Sequence, residues 1–158
     1  MDYILDPFIL RYLHIICGIM WIGILWYFNF VQIPSMGKIP ADQKPAITKV
    51  IAPEALFWFR WGAAGTVLFG LLLAYANGYL HQAMVLQQPD IGFGMWFGLI
   101  MAFNVWFIIW PAQKIALGIV ESDDDAAKAA AGRRAMLFSR TNTMLSIPML
   151  YSMISFSH

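Results

Sequence analysis

The sequence predicts an all-α integral membrane protein, a four-helix bundle with both termini on the outer side. Three observations carry this. Four runs, 12–37, 61–89, 91–113 and 141–158, contain no Asp, Glu, Lys or Arg. An apolar helix of about 20 residues crosses a hydrocarbon core of about 30 Å. The first three runs suffice alone, and the fourth gains length backwards through 135–140. Hydrophobic residues make up 60% of the chain and charged residues only 12%, against about 25% charged in a soluble domain. Finally, no strand-like alternation is visible. In lipid each backbone polar group must be paired within its own segment, so these runs read as helices.

The spans fall at about 8–33, 56–80, 93–117 and 136–156, forming one four-span domain over 1–158. Orientation follows from the basic residues, which concentrate on the cytoplasmic side of membrane proteins. Nine of the ten lie in or beside the first and third connections: Lys38, Lys44, Lys49 and Arg60, then Lys114, Lys128, Arg133, Arg134 and Arg140. Only Arg11 lies near the N-terminus. The expectation is a multi-pass protein of a bacterial-type inner membrane, surrounded by lipid. A net charge of +1 with no basic groove gives no sign of nucleic-acid binding.

The first span follows Asp2 and Asp6 rather than a basic stretch and is too long for a signal-peptide core, so it is expected to stay. It contains Cys17, the one cysteine. No disulfide within the chain and no Cys-x-x-Cys-His haem attachment can form. The first connection holds 41–50 between Pro40 and Pro53, a candidate short interfacial helix. In the second span Gly62, Thr66, Gly70, Ala74 and Gly78 recur every four residues, as Gly94, Gly98 and Ala102 do in the third. Such stripes let helix backbones approach closely in lipid, or leave room for a flat cofactor. The segment 122–134 reads as a capped, Ala-rich helix with acids first and bases last, matching the helix dipole. Its Asp123-Asp124-Asp125 run is a solvated helix start or a cation site. Trp58, Trp61, Trp106 and Trp110 on one side and Tyr3, Tyr12 and Trp96 on the other fit interfacial aromatic belts.

The three histidines, His14, His81 and His158, all fall on the outer side. His14 is the deepest, about two turns inside the first span, and an ionisable residue at membrane depth is a functional candidate. Gly18 lies one turn further on the same face. Imidazole to iron, with no side chain beneath the macrocycle, is a favourable seat for haem. The plain alternative is a neutral His bonded to a neighbouring helix. Asn104, near mid-membrane, either bonds across helices or faces a polar pocket. Arg140 and Asn142 open the last span and are candidates to hold an anionic group such as a haem propionate.

The run 11–23, with His14, Gly18, Trp21 and Gly23, and its continuation through Trp26, Asn29 and Gln32 resemble the opening span of the urate oxidase N-terminal membrane family. So do Phe57-Trp58-Phe59-Arg60-Trp61-Gly62, the segment from Asn104 through Trp106 and Trp110 to Pro111, and Gly132-Arg133-Arg134 with Ser139-Arg140-Thr141-Asn142-Thr143, Ser146 and Pro148. Better-known members have further spans and a cytochrome c domain and are associated with urate oxidation. A more distant likeness is to the small membrane protoporphyrinogen oxidases and the copper-resistance D family. The former share the His14, Trp21, Gly23 pattern, which implies His14 as an axial ligand of haem b. The second ligand stays open among Met95, Met101, Met153, His81 and His158.

Three functions follow as expectations. One is a b-type cytochrome-like oxidoreductase moving electrons through haem, with a quinone or cytochrome c as partner. Another is a non-catalytic accessory subunit of a larger membrane enzyme. The last is a copper-handling protein using His and Met, since thioethers favour Cu(I). A bundle this small is expected to work as a homo-oligomer or as part of a membrane complex.

Overall fold

A computed structural model describes residues 6–120 and 124–156. Within them the chain is helical: α1 (Pro7–Ser35), α2 (Lys44–Ala76), a short α3 (Leu80–Met84), α4 (Pro89–Ala116) and α5 (Asp125–Ser155). Helices α1, α2 and α4 are each long and apolar enough to cross a membrane. Asp6 caps α1 by accepting from Phe8 N at 2.7 Å, and Pro7 follows, where its missing N–H costs nothing.

Three boundaries differ from the sequence reading. The segment 41–50 is not a separate helix; most of it is the first part of α2. The other end of α2 comes earlier than residue 80. Tyr79 N bonds Ala74 O at 3.1 Å, Gly78 N bonds Tyr75 O at 3.0 Å, and Gly78 has φ +76°. This Schellman stop needs a left-handed residue, which glycine supplies without a Cβ clash. Gly78 therefore ends the helix rather than extending its packing stripe. The Ala-rich helix and the fourth span merge into the 31-residue α5, with Asp124 as the cap accepting from Ala126 N at 2.8 Å. Asp123, also expected at this helix start, lies outside the described residues.

Each of the three most apolar helices contains a π-helical segment: Tyr27–Gln32, Ile47–Ile51 and Asn104–Ile109. Each ends two residues before a proline: Pro34, Pro53 and Pro111. A proline inside a helix donates no hydrogen bond and its ring clashes with the carbonyl four residues back. That carbonyl falls in the π segment every time, and the wider turn gives it room. The proline spacing thus explains all three segments.

Helices α1 and α2 pack antiparallel at close range. A Cβ added to Gly62 would lie 3.1 Å from Trp21 N, and one added to Gly65 would lie 2.7 Å from Cys17 Sγ. The stripe at this level serves helix packing. Helices α4 and α5 also pair antiparallel, with Ser152 Oγ accepting from Gly94 N at 2.9 Å and donating to Asp90 O.

The packed helices make two unlike halves. One end carries the start of α1 and the finish of α5 and is termed the terminal end; the other, with most Lys and Arg, is the basic end. The basic half is packed shut around Trp21, Leu25, Phe28, Phe59, Met101 and Val105. Arg60 stacks over Trp110 at 3.4 Å from the ring centroid, a cation–π contact. Polar ties join α5 to its neighbours here. Trp26 Nε1 donates to Ser146 Oγ at 2.9 Å, and Asn29 Nδ2 donates to Ser139 Oγ at 2.8 Å.

Asn104 bonds across helices. Its Nδ2 donates to Asn142 Oδ1 at 2.8 Å, while Asn142 Nδ2 donates to Met101 O at 2.9 Å. Asn142 is fully buried. Asn142→Leu removes both bonds and strands the Asn104 amide. It should destabilise the protein by about 1–2 kcal/mol, read as a lower unfolding midpoint in detergent. An unchanged midpoint would deny the pair this role.

Candidate functional site

Space opens in the terminal half. A cleft of about 820 Å³ lies among all four long helices, within the roughly 300–1,000 Å³ usual for small-molecule and cofactor sites. Its walls are mainly apolar. His14 is set into the wall, part-buried, and α2 fixes its ring. Nδ1 stands 2.8 Å from Thr66 O. A carbonyl oxygen only accepts, so Nδ1 carries the proton and Nε2 keeps its lone pair. An imidazole oriented in this way by a backbone carbonyl is the usual state of a metal-ligating histidine. Thr66 is itself anchored, its hydroxyl donating to Gly62 O at 2.7 Å.

Glycines make this geometry possible. A Cβ on Gly70 would lie 2.8 Å from His14 Cε1 and 2.9 Å from Nδ1, so only glycine lets the ring rest there. Gly18, one turn from His14, would bring a Cβ no closer than 3.9 Å to any atom outside its own neighbourhood, and Gly98 on α4 would meet nothing within 4 Å. Both line the cleft. The glycines therefore divide their work: Gly62 and Gly65 close the helix pair, Gly70 seats the histidine, and Gly18 and Gly98 widen the space.

The other residues singled out in the sequence separate cleanly. Met95 and Met153 line the cleft with His14. Met101 is fully buried in the core of the basic half. Arg140 is exposed on α5 and Asn142 is engaged with Asn104, and neither lines the cleft. His81 is exposed on α3 outside it. His158 lies outside the described residues. Among the described residues no group of three or more His, Cys, Asp or Glu could hold a metal ion.

Some participants were not singled out as ligands or anchors. Thr66 and Gly70 sit in the stripe, where spacing could not tell seat from packing. Arg11, Asn77 and Tyr79 line the cleft at the terminal end. Burial pushes the Tyr79 phenol up, opposed by the Arg11 guanidinium. Trp21 also lines the cleft, and its buried Nε1 has no partner among the described residues. Such a donor is normally satisfied by a bound molecule or ordered water.

No curated protein and no solved structure matches the chain. Residues 87–158 match the family model described as urate oxidase N-terminal. The matched stretch contains α4 and α5, with Met95, Met153, Asn104, Arg140 and Asn142, but not α1 with His14. Over the α4–α5 stretch, therefore, the chain is similar to the urate oxidase N-terminal family.

Proposed function

We propose that the protein is an integral membrane haem b protein, with His14 as an axial ligand and the cleft as the seat of the macrocycle. It would carry electrons between a membrane donor such as a quinol and an external acceptor such as a cytochrome c. The observation that carries this reading is the His14 imidazole held by Thr66 O over Gly70, with Nε2 available beside an apolar cleft of cofactor size. Bound haem would supply the one-electron chemistry, while the protein sets ligands, polarity and water access. Met95, Met149 and Met153 are the thioethers on the cleft wall, and a Met partner would raise the potential.

The same reading makes α5 the fourth span. It turns Met144, Ile147, Tyr151 and Ile154 outward and buries Ser139, Asn142, Thr143, Ser146 and Ser152. Apolar outside and polar within suits a helix facing lipid, where polar side chains serve as interhelical ties. At 31 residues and about 1.5 Å per residue, it is longer than the hydrocarbon core, so its charged first turns extend beyond it. The basic end would face the cytoplasm, and the cleft would open towards the outer side.

The deciding experiment is a dithionite-reduced minus air-oxidised spectrum of the purified protein, with a pyridine haemochrome assay for stoichiometry. A b-type spectrum near one haem per chain supports the proposal. A colourless protein that takes up no added haem would overturn it, favouring an accessory subunit, and the search would move to co-purifying chains.

A further inference from the structure

The cleft is chemically lopsided. At its inner end stand Trp21, Trp26 and Met149; at the terminal end stand Arg11, Asn77 and Tyr79. Arg11 is the one permanently charged side chain on the wall, and no carboxylate among the described residues pairs with it. It precedes His14 by three residues on α1, so the two share a face of the helix. A planar guanidinium is well matched to a carboxylate, which it can bind through two parallel hydrogen bonds. The Tyr79 phenol, its ionisation opposed by burial, remains a donor at neutral pH. A ligand suited to this wall has an apolar body and an anionic end.

We infer that Arg11, rather than Arg140, receives the carboxylate end of the cleft ligand, so that a bound haem would lie with its propionates at the terminal end. This rests on the haem reading above. It adds a direction to the ligand and disfavours a neutral molecule of the same size as the preferred occupant.

Comparison of two ligands tests it. Full-length apoprotein in detergent is titrated with haem b and, separately, with haem b dimethyl ester, in which both carboxylates are masked. The parent protein should bind haem b roughly fivefold tighter than the diester, a modest factor because the Arg11 side chain is exposed to solvent. Arg11→Gln should erase this preference by weakening haem b while leaving the diester unchanged, and Arg11→Lys should restore part of it. The unchanged diester affinity also shows that the variant is folded. Equal affinity of the parent for both ligands would overturn the role of Arg11 and leave the haem proposal standing. Failure of the parent to bind either ligand would overturn both.

Discussion

His14→Ala should insert and fold like the parent protein yet lose at least about 100-fold in haem affinity, and so purify nearly colourless. The two halves of this expectation have separate grounds. For stability, His14 contributes one hydrogen bond to a backbone carbonyl, worth about 0.5–1.5 kcal/mol net, and its ring is only part-buried. For binding, even partners that merely orient a metal ligand are worth roughly 10–100-fold, so the ligand itself should be worth at least as much. Difference spectra and haemochrome assays on matched amounts of protein check the loss. Added imidazole should return part of the colour to His14→Gly, whose missing side chain leaves room for it. Full occupancy in His14→Ala would rule out His14 as an axial ligand.

Gly70→Val should weaken haem binding by about 10–100-fold with His14 still present. The new Cβ would fall 2.8 Å from His14 Cε1 and 2.9 Å from Nδ1, well inside contact distance. The imidazole must leave its position, and the bond to Thr66 O goes with it. That removes the orienting partner, with the consequence for affinity stated above. Crowding should also cost about 1–3 kcal/mol of stability. The spectrum separates the two effects: a displaced ligand changes the Soret and α bands of whatever haem remains, whereas simple destabilisation lowers occupancy without moving them. Parent-like affinity and bands would mean that Gly70 does not seat the ring.

The apolar helices were legible because a membrane would enforce a local rule. Each span must satisfy its own backbone and present apolar side chains, so a charge-free run of sufficient length is evident by inspection. The Ala-rich segment and the last span could not be joined in this way. Charged residues interrupt the run at 121–140, and charge says where a helix leaves the membrane rather than where it stops. The early end of α2 was written in Gly78, but its four-residue spacing matched a packing stripe equally well.

The cleft was less legible. Met95 and Met101 both sit on one apolar helix, at plausible depths. At about 100° per residue they point about 120° apart, so no single packing of α4 turns both to the same wall. One lines the cleft and the other is sealed in the core. Depth is readable from sequence; rotation about the helix axis is not. The π-helical segments add to the difficulty, since each shifts the phase of the residues beyond it.

Long apolar helices, the gathering of Lys and Arg in and beside two connections, and the position of His14 within the first apolar run are thus readable from composition and spacing. These are properties of single segments, set by backbone pairing and side-chain polarity alone. Packing between helices sets which glycine seats the imidazole, which nitrogen Thr66 O engages, and that Arg11 shares the cleft with His14 while Arg140 does not. Those depend on how neighbouring helices are rotated and spaced against one another, and close packing settles that through contacts between residues far apart in the chain.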